Sequence, residues 1–414
     1  MNNQEIVDLI EAHPKWYQKI ELPNGISTPG RDRSKTADAI FPKDLTGKTV
    51  LDVGCAEGYF SFEAKKRNAD KVVGIDLDID KLKIAKKFSE FQNLDIDFQN
   101  LDLDQLDDSD TYDYVICLNI LHHVTNPIAL INKLINKTKV KLILEVADLT
   151  MGISDIGKKK KSKALLGFWG SIFKYLPESL KPGILAVDSR ARFLISRTWI
   201  KNLIETQYLD IGKLKFLDSE LEHRYMIDAR IRNINDISII SGPTNIGKST
   251  LIEMLKSGDR DSFKLAGIDP DTNWSIMTAS ELQKTPNVEI EDLILEYDIC
   301  RTILRRYGIF EYDPVFRLFR SSNLKTVYVL VCNREEYLRR VEECFNKLSK
   351  PKKKDKEKSQ RMITEFSHAS KYVGIYLDWI DFCKSNGCEV KYIDSNTGSI
   401  KVIEEDEALK IINS

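Results

Sequence analysis

The chain has 414 residues, more than one ordinary hydrophobic core accommodates, so two domains are expected. Its 62 lysines and arginines are balanced by 63 aspartates and glutamates, and this balance argues against a generally basic nucleic-acid-binding protein. Seven cysteines without a C-x-x-C pair or a zinc-ligand spacing, and the lack of an apolar run long enough to cross a bilayer, fit a protein of the reducing cytoplasm.

A glycine turn follows an early apolar strand. The strand ends at Asp52, the turn contains Gly54 and Gly58, and a helix is predicted from about Tyr59. A second strand ends at Asp76, which gives the βαβ opening of a doubly wound α/β sheet whose ligands bind at the carboxyl ends of the strands. A dinucleotide site would carry G-x-G-x-x-G, whereas this turn reads D-x-G-x-x-x-G. That pattern suits S-adenosylmethionine (SAM), which has no pyrophosphate to bind.

Each candidate SAM-binding residue is predicted to contact a different part of the cofactor. We expect Asp52 to hold the methionine ammonium, directly or through water, and Asp76 to accept both ribose hydroxyls. Asp102, near the end of the third predicted strand, is a candidate acceptor for the adenine amino group. Asn119, which follows the fourth strand, completes the predicted set. The two glycines of the turn let the backbone approach the cofactor closely.

Two adjacent histidines, His122 and His123, follow the fourth predicted strand on the acceptor side of the cofactor. A histidine at this position could act as a general base, because its charge changes near neutral pH. The alternative is that one histidine caps the loop and the other packs. The sequence leaves both interpretations open.

Several runs in the first half of the chain are similar to one family. These runs are 20–30, 45–54, 121–127, 142–146 and 191–199. On them, the segment from Trp16 to Val146 resembles class I SAM-dependent methyltransferases, and more narrowly the tRNA wobble-uridine methyltransferase and carboxymethyltransferase group. The resemblance implies a Rossmann-like fold, SAM as cofactor and a methyltransferase domain over residues 1–222.

A segment at 151–190 departs from a minimal domain of this kind. Four lysines begin at Lys158, and an aromatic amphipathic stretch continues to Leu176. The segment 158–176 could make a peripheral contact with the inner face of a membrane, or it could form a lid over the acceptor site with its lysines solvated. A helix and a strand from Trp199 to Asp218 are predicted to complete the first sheet, and the polar stretch 223–235 is predicted to be a linker.

The stretch SGPTNIGKST, residues 241–250, lies between a predicted strand and a predicted helix. This is the P-loop pattern, in which glycines turn backbone N–H groups toward phosphate oxygens. Lys248 would neutralise the β- and γ-phosphates during transfer, and the Ser249 hydroxyl would bind Mg²⁺. The pattern therefore predicts ATP and Mg²⁺ as ligands of a second doubly wound α/β domain, residues 236–414. The predicted ATP-binding residues of the loop are Gly242, Thr244, Asn245, Gly247, Lys248, Ser249 and Thr250.

Other residues of the second half resemble those of small P-loop kinases. The run 263–274 is predicted as a strand plus loop, and Asp269 or Asp271 is the candidate base that orients the acceptor oxygen; the alternative is a plain turn aspartate. A strand ending at Asp298 makes that residue the predicted Mg²⁺ ligand, through water. By similarity to nucleoside monophosphate kinases, Arg339 and Arg361 are predicted to be lid arginines that bind the nucleotide, with Arg340 as a further candidate.

Together the two halves predict a bifunctional methyltransferase and P-loop kinase that acts on a glycan or small-molecule acceptor. One case is phosphorylation of a sugar hydroxyl followed by methylation of that phosphate, by analogy with the methyltransferase–kinases that cap bacterial surface polysaccharides. An RNA-modifying enzyme with an accessory ATPase or nucleic-acid kinase domain is the alternative, and the neutral charge balance weakens it. A nucleotide-sensing scaffold without activity is disfavoured by the intact site residues. The sequence does not indicate an oligomeric state.

Overall fold

The computed structural model describes residues 2–13, 15–105, 110–148, 184–186, 193–285, 288–300, 314–347, 353–396 and 400–414. The chain forms two compact units. Unit 1 comprises Met1–Glu205 with Ile211–Ile231, and unit 2 comprises Thr206–Asp210 with Arg232–Ser414. The segment 158–176, predicted to be a lid or a membrane contact, lies outside the described residues. None of the described helices has the length and apolar character needed to cross a membrane.

Unit 1 is built on a seven-stranded sheet. The strands of this unit are β1 Thr49–Val53, β2 Lys71–Asp76, β3 Asp97–Asn100, β4 Tyr112–Leu118, β5 Thr138–Ala147, β6 Ile184–Ala186, β7 Phe193–Ile195, β8 Ile211–Asp218 and β9 Arg224–Ile231. Its helices are α1 Asn3–Ala12, α2 Ser34–Ile40, α3 Tyr59–Lys66, α4 Ile79–Gln92, α5 Pro127–Lys137 and α6 Arg197–Gln207. Short strands β6 and β7 pair antiparallel outside the main sheet.

The main sheet of unit 1 has the order β3-β2-β1-β4-β5-β9-β8. The first five strands are parallel, and β9 runs antiparallel to both of its neighbours. Because the chain moves from β1 to β2 on one side and later to β4 on the other, the strand order reverses at β1. Ligands of such sheets bind outside the carboxyl ends of the strands at this switch point. The predicted doubly wound α/β sheet of the first half is confirmed.

The predicted linker at 223–235 is wrong. Strand β9 occupies most of it and lies between β5 and β8, with Tyr225, Met226 and Ile227 almost fully buried. The run also contains Arg224, Asp228 and Arg230, so it looks polar in sequence although it forms one strand of the sheet. The boundary between the units falls between Ile231 and Arg232 instead.

Unit 2 is built on a second, six-stranded sheet. Its strands are β10 Ile234–Gly242, β11 Trp274–Thr278, β12 Asp292–Asp298, β13 Ser322–Val331, β14 Glu389–Asp394 and β15 Lys401–Ile403. Its helices are α7 Lys248–Lys256, α8 Arg260–Ala266, α9 Ala279–Lys284, α10 Arg334–Asn346, α11 Lys353–Phe366, α12 Ala369–Ser385 and α13 Glu405–Asn413. The order is β11-β12-β10-β13-β14-β15, parallel except for β15, so the switch point lies at β10.

The run 263–274, predicted as a strand plus loop, instead contains most of helix α8. The Asp259 carboxylate accepts hydrogen bonds from the backbone N–H groups of Asp261 and Ser262, which caps the start of the helix. Gly267, with φ of +69°, ends it. The strand that follows in the sheet is therefore β11, which begins only at Trp274.

Candidate functional sites

The glycine turn of unit 1 joins β1 to α3 at the switch point. Gly54 and Gly58 have φ values of +75° and +89°. A Cβ on Gly54 would lie 2.3 Å from Ile120 Cδ1, and one on Gly58 would lie 2.8 Å from Phe98 Cζ. Both positions therefore require glycine, and the backbone of the turn is held close to the ends of β3 and β4.

Asp76 fixes this turn to the end of β2. Its Oδ2 accepts a hydrogen bond from Ala56 N at 2.8 Å, and its Oδ1 accepts one from Asp78 N at 2.8 Å. Each carboxylate oxygen has a second lone pair, so the same side chain can still accept two hydroxyl donors. This arrangement fits the predicted ribose contact.

Asp52 is almost completely buried at the end of β1, with 3% of its surface exposed. Its Oδ2 accepts a hydrogen bond from Ser61 Oγ at 2.7 Å. Burial, helped by the charge of Asp76 and opposed by the Ser61 hydrogen bond, raises the pKa of Asp52 to about 7. A cation beside this carboxyl would favour its ionised form, which fits the predicted ammonium contact.

The remaining predicted cofactor residues lie at the ends of β3 and β4. Asp102 is exposed two residues after β3, and its backbone N–H donates to Gln105 Oε1 at 2.9 Å. Asn119 adopts φ of +65°, and its N–H donates to Glu145 O at 3.3 Å. The Oδ1 of Asn119 is buried and accepts no hydrogen bond from the described residues. The switch point of unit 1 therefore presents oxygen acceptors, which suit the ammonium and hydroxyl donors of SAM.

The two histidines differ in exposure. His122 is buried, His123 is exposed, and their ring centroids are 4.0 Å apart. His122 Nε2 lies 3.3 Å from Arg224 Nη1. Because a guanidinium can only donate, His122 Nε2 accepts, and we assign the proton of the neutral ring to Nδ1. His122 thus matches the packing alternative, and His123 is the one of the pair that solvent reaches.

A buried ion pair that the sequence reasoning missed lies at the carboxyl end of β5. Arg33 Nη2 donates to Glu145 Oε1 at 2.9 Å, and both side chains are at most 3% exposed. Ser219 Oγ donates to the same oxygen, and Glu220 lies 3.7 Å from Arg33 Nε. The signal was available, since a glutamate in the apolar run LILEVA is rarely buried without a partner.

The P-loop of unit 2 connects β10 to α7, again at a switch point. Lys248 is 4% exposed, and its Nζ donates to Gly242 O at 2.9 Å and to Pro243 O at 2.6 Å. Burial lowers the pKa of Lys248, although nearby acids, chiefly Asp298, oppose this shift. Gly247, with φ of +112°, directs the chain into the helix. The Lys248 ammonium group therefore lies inside the curve of the loop, at the position expected for a bound phosphate.

Ser241, the first residue of the loop, is fixed by hydrogen bonds to residues of the core of unit 2. Trp379 Nε1 donates to Ser241 Oγ at 2.9 Å, and Ser241 Oγ donates to Tyr328 O at 3.0 Å. Trp379 is fully buried and stacks on Tyr297 with ring centroids 5.0 Å apart. The aromatic core of unit 2 therefore fixes the position of the loop.

The acidic residues of β12 are arranged differently from the prediction. Ser249 Oγ donates to Glu296 Oε1 at 2.8 Å, whereas Asp298 accepts from Thr244 Oγ1 and, at 2.8 Å, from Cys300 N. A Mg²⁺ ion bound to the Ser249 hydroxyl would therefore meet Glu296 first. The Ser249 hydroxyl is thus paired with Glu296 and not with Asp298, the predicted Mg²⁺ ligand, although both acids line the cavity above the loop.

A cavity of about 560 Å³ opens above the loop. Its lining residues are Thr244, Asn245, Gly247, Lys248, Ser249, Thr250, Glu296, Asp298, Arg340, Glu343, Cys344 and Lys347. Arg340 is fixed at the wall, because its Nη1 donates to Ile246 O at 3.0 Å and its Nε to Glu336 Oε1 at 2.6 Å. All of the predicted loop residues except Gly242 line this cavity, and Gly242 holds the lysine.

Asp269, the predicted catalytic base, is far from this cavity along the sheet. It precedes β11, and Trp274 of that strand pairs with Asp292 at the amino end of β12, whereas the P-loop lies at the carboxyl ends. Asp269 is exposed and accepts from Asp271 N at 3.0 Å and from Thr272 Oγ1 at 2.9 Å; these bonds lower its pKa. The turn alternative is the correct one.

The two predicted lid arginines do not line the cavity either. Arg339 is exposed and bonds to Glu336 and Glu343 of its own helix. Arg361 is exposed on α11, where it lines a separate open groove of about 800 Å³ with Phe345 and Lys356. Arg340 is the one of the three arginine candidates that the structure brings to the P-loop.

Residues 50–139 match the family model described as a methyltransferase domain. The ubiquinone biosynthesis O-methyltransferase of Psychrobacter arcticus is 37% identical over 128 residues, which are 30% of this chain and 48% of that protein. The protein of the same name from Histophilus somni is 34% identical over 140 residues, 32% of this chain and 57% of that protein. The chain thus spans about half the length of the curated relatives it matches.

Two solved structures are similar at lower identity. The N-terminal domain of EvdMO1 with SAH bound covers 56% of this chain and 98% of its own, with 15% identity and a TM-score of 0.39. The magnesium protoporphyrin IX methyltransferase of Synechocystis, also with SAH bound, covers 55% of this chain and 82% of its own, with 20% identity and a TM-score of 0.33. Both are distant likenesses.

Proposed function

The N-terminal region is a class I SAM-dependent methyltransferase domain, and from this premise we propose that the chain is a bifunctional transferase. Unit 1 transfers a methyl group from SAM, and unit 2 transfers a phosphoryl group from ATP, to a glycan or small-molecule acceptor. The observation that supports this proposal is that each sheet has its own switch point, which is where ligands of doubly wound sheets bind.

SAM, when bound, supplies an electrophilic methyl group. The residues of unit 1 therefore need only bind the cofactor and orient the two reactants. Asp52 pairs with the ammonium, Asp76 accepts the ribose hydroxyls, and the glycine turn brings the backbone against the cofactor. The acceptor atom must then approach in line with the sulfonium, so holding both reactants in place accounts for most of the rate. His123, exposed next to the cofactor residues, is the candidate to take a proton from the acceptor.

In unit 2 the residues of the P-loop cavity would neutralise the negative charge of the ATP phosphates. Lys248, together with the inward-facing N–H groups of the loop, would hold the β- and γ-phosphates, and Ser249 with Glu296 would hold Mg²⁺. MgATP supplies the phosphoryl group, and phosphoryl transfer depends mainly on positioning and electrostatic stabilisation. Arg340, at the wall of the same cavity, adds a fixed positive charge where charge accumulates on the transferred group.

Small molecules or glycans are favoured as acceptors over RNA. An RNA-modifying enzyme needs a basic surface, whereas this chain has a net charge of −1. Two of the curated relatives are named for O-methylation in ubiquinone biosynthesis, which concerns a small molecule.

Isothermal titration of the full chain with S-adenosylhomocysteine (SAH) and, separately, with MgATP tests the proposal. We expect one site for each ligand. Asp76→Ala should remove SAH binding and leave MgATP binding unchanged, because the two ligands use different units. Absence of heat from either ligand in the wild-type chain would contradict the bifunctional proposal.

The raised pKa of Asp52 predicts that SAH affinity depends on pH. Below about pH 7 the free protein carries a proton on this carboxyl, and that proton must leave when the ammonium binds. Affinity should therefore fall as pH drops through 7, by up to roughly tenfold per pH unit, and stay constant above it as far as Asp52 is concerned. Titration of the wild-type chain and Asp52→Asn across this range checks the prediction. The variant cannot titrate, and an equal slope in both proteins would contradict it.

A further inference from the structure

In the buried ion pair at the end of β5, one carboxylate oxygen of Glu145 lacks a hydrogen-bond donor among the described residues. Arg33 and Ser219 both donate to Oε1 of Glu145. Oε2 of the same carboxylate is buried and accepts no hydrogen bond from the described residues. A buried acceptor without a donor destabilises the folded state, and more so when it belongs to a charged group. Native structures keep such groups where a ligand or an ordered water completes them.

The position of Glu145 in the sheet indicates which ligand would donate the missing hydrogen bond. It is paired with Leu118 at the end of β4, and its carbonyl accepts the N–H of Asn119. The cofactor acids Asp52 and Asp76 lie on β1 and β2, on the other side of β4. Glu145 thus lies at the carboxyl edge of the same sheet, displaced from the cofactor acids toward the side on which the acceptor is expected.

The charges around Glu145 indicate what it binds. Arg33 contributes one positive charge, while Glu145 and the nearby Glu220 contribute two negative ones. An ionised carboxylate oxygen only accepts hydrogen bonds, so the missing partner is a donor. A phosphate or carboxylate acceptor would bring a further negative charge next to the buried Glu145 carboxylate, where like charges repel strongly.

We propose that Glu145 Oε2 is a specificity-determining contact for the methyl acceptor, and that it selects an uncharged acceptor that presents an O–H or N–H group. This rests on the proposed methyl transfer in unit 1. It also decides between two products considered from the sequence: unit 1 methylates a hydroxyl or amine, and not the phosphate ester that unit 2 would form. The methylated and the phosphorylated atoms are therefore different.

Glu145→Gln tests the proposal sharply because of Arg33. The guanidinium can only donate, so it holds the amide oxygen of the new glutamine at the former Oε1 position. The amide NH₂ then occupies the former Oε2 position, and an acceptor becomes a donor. The substitution keeps the shape of the side chain and inverts the polarity of the contact.

The experiment measures SAH release by the full chain with two matched pairs of probes, catechol with phenyl phosphate and glucose with its phosphate monoester. We expect the wild type to methylate at least one hydroxyl probe and to prefer it at least tenfold over its phosphate partner. Glu145→Gln should reduce that preference at least tenfold and change SAH affinity less than threefold. Glu222→Gln, which removes an exposed carboxylate outside this ion-pair cluster, should leave the preference within threefold of wild type.

The outcomes separate this inference from the function on which it rests. A wild-type chain that does not bind SAH refutes methyl transfer itself. A chain that binds SAH but methylates no hydroxyl probe, or prefers the phosphate probes, refutes the inference alone. A folded Glu145→Gln with unchanged preference refutes it as well, and a tenfold loss of SAH affinity would assign Oε2 to the cofactor. If the variant does not fold, the wild-type preference decides.

Discussion

Lys248→Ala is expected to lower phosphoryl transfer from MgATP by about 10²–10³-fold, the range for removal of one electrostatic stabiliser. The Nζ of Lys248 is the buried positive charge inside the loop, held by Gly242 O and Pro243 O. Without it the cavity keeps the acids Glu296 and Asp298 but loses the cation that faces them. Transfer of radiolabelled γ-phosphate to the hydroxyl probes and to water measures the effect.

The fold should survive this substitution. Burial lowers the pKa of Lys248, which means that the folded state disfavours its charged form, and removing that charge offsets part of the loss of the hydrogen bonds to Gly242 O and Pro243 O. Lys256→Ala is the matched control, because this lysine is on the same helix but is partly exposed and lies 3.4 Å from Glu281. We expect SAH binding to be unchanged in both variants. Phosphoryl transfer within threefold of wild type in Lys248→Ala would show that this loop is not the phosphoryl site.

The glycine turn and the P-loop could be predicted from sequence because their chemistry is local. In each, a strand end, two glycines and a helix start lie within about a dozen residues, and the switch points of the sheets bring the strand ends together. Asp52 and Asp76 meet for this reason, although they are 24 positions apart in the chain. Strand β9 was missed because it carries charged residues, one of which, Asp228, is buried in an ion pair with Lys141, and only pairing with β5 and β8 distinguishes it from a linker.

The wrong residue predictions in unit 2 have a common cause, since each depends on packing that the sequence does not contain. Asp269 was assigned to the carboxyl end of a strand that is in fact α8. Glu296 and Asp298 are two apart on β12 and so share a face, and the sequence does not show that the Ser249 hydroxyl pairs with Glu296. Arg339 and Arg340 point in directions roughly 100° apart around α10, and the side on which that helix packs determines which one reaches the cavity.

Arg33→Met is expected to reduce the free energy of unfolding of unit 1 by about 3–5 kcal/mol, as when one partner of a buried ion pair is removed. Glu145 would remain fully buried with only Ser219 as a donor. Methionine has a similar volume, so the loss comes from the uncompensated carboxylate and not from a cavity. Urea unfolding of the full chain measures the change, and the transition that SAH shifts identifies unit 1.

A second substitution distinguishes charge from packing. In Arg33→Met/Glu145→Leu both charges are gone, and replacing a buried pair by apolar side chains is often close to neutral, so most of the lost stability should return. Arg31→Met, two residues away and exposed, is the control, and its effect should stay within about 0.5 kcal/mol. A double variant as unstable as Arg33→Met would mean that the arginine acts through its own packing on Phe60, 5.5 Å from the ring centroid. In the rescued double variant, the preference for the hydroxyl probes should be at least tenfold lower than in the wild type, because the protein folds without the oxygen that we propose selects them.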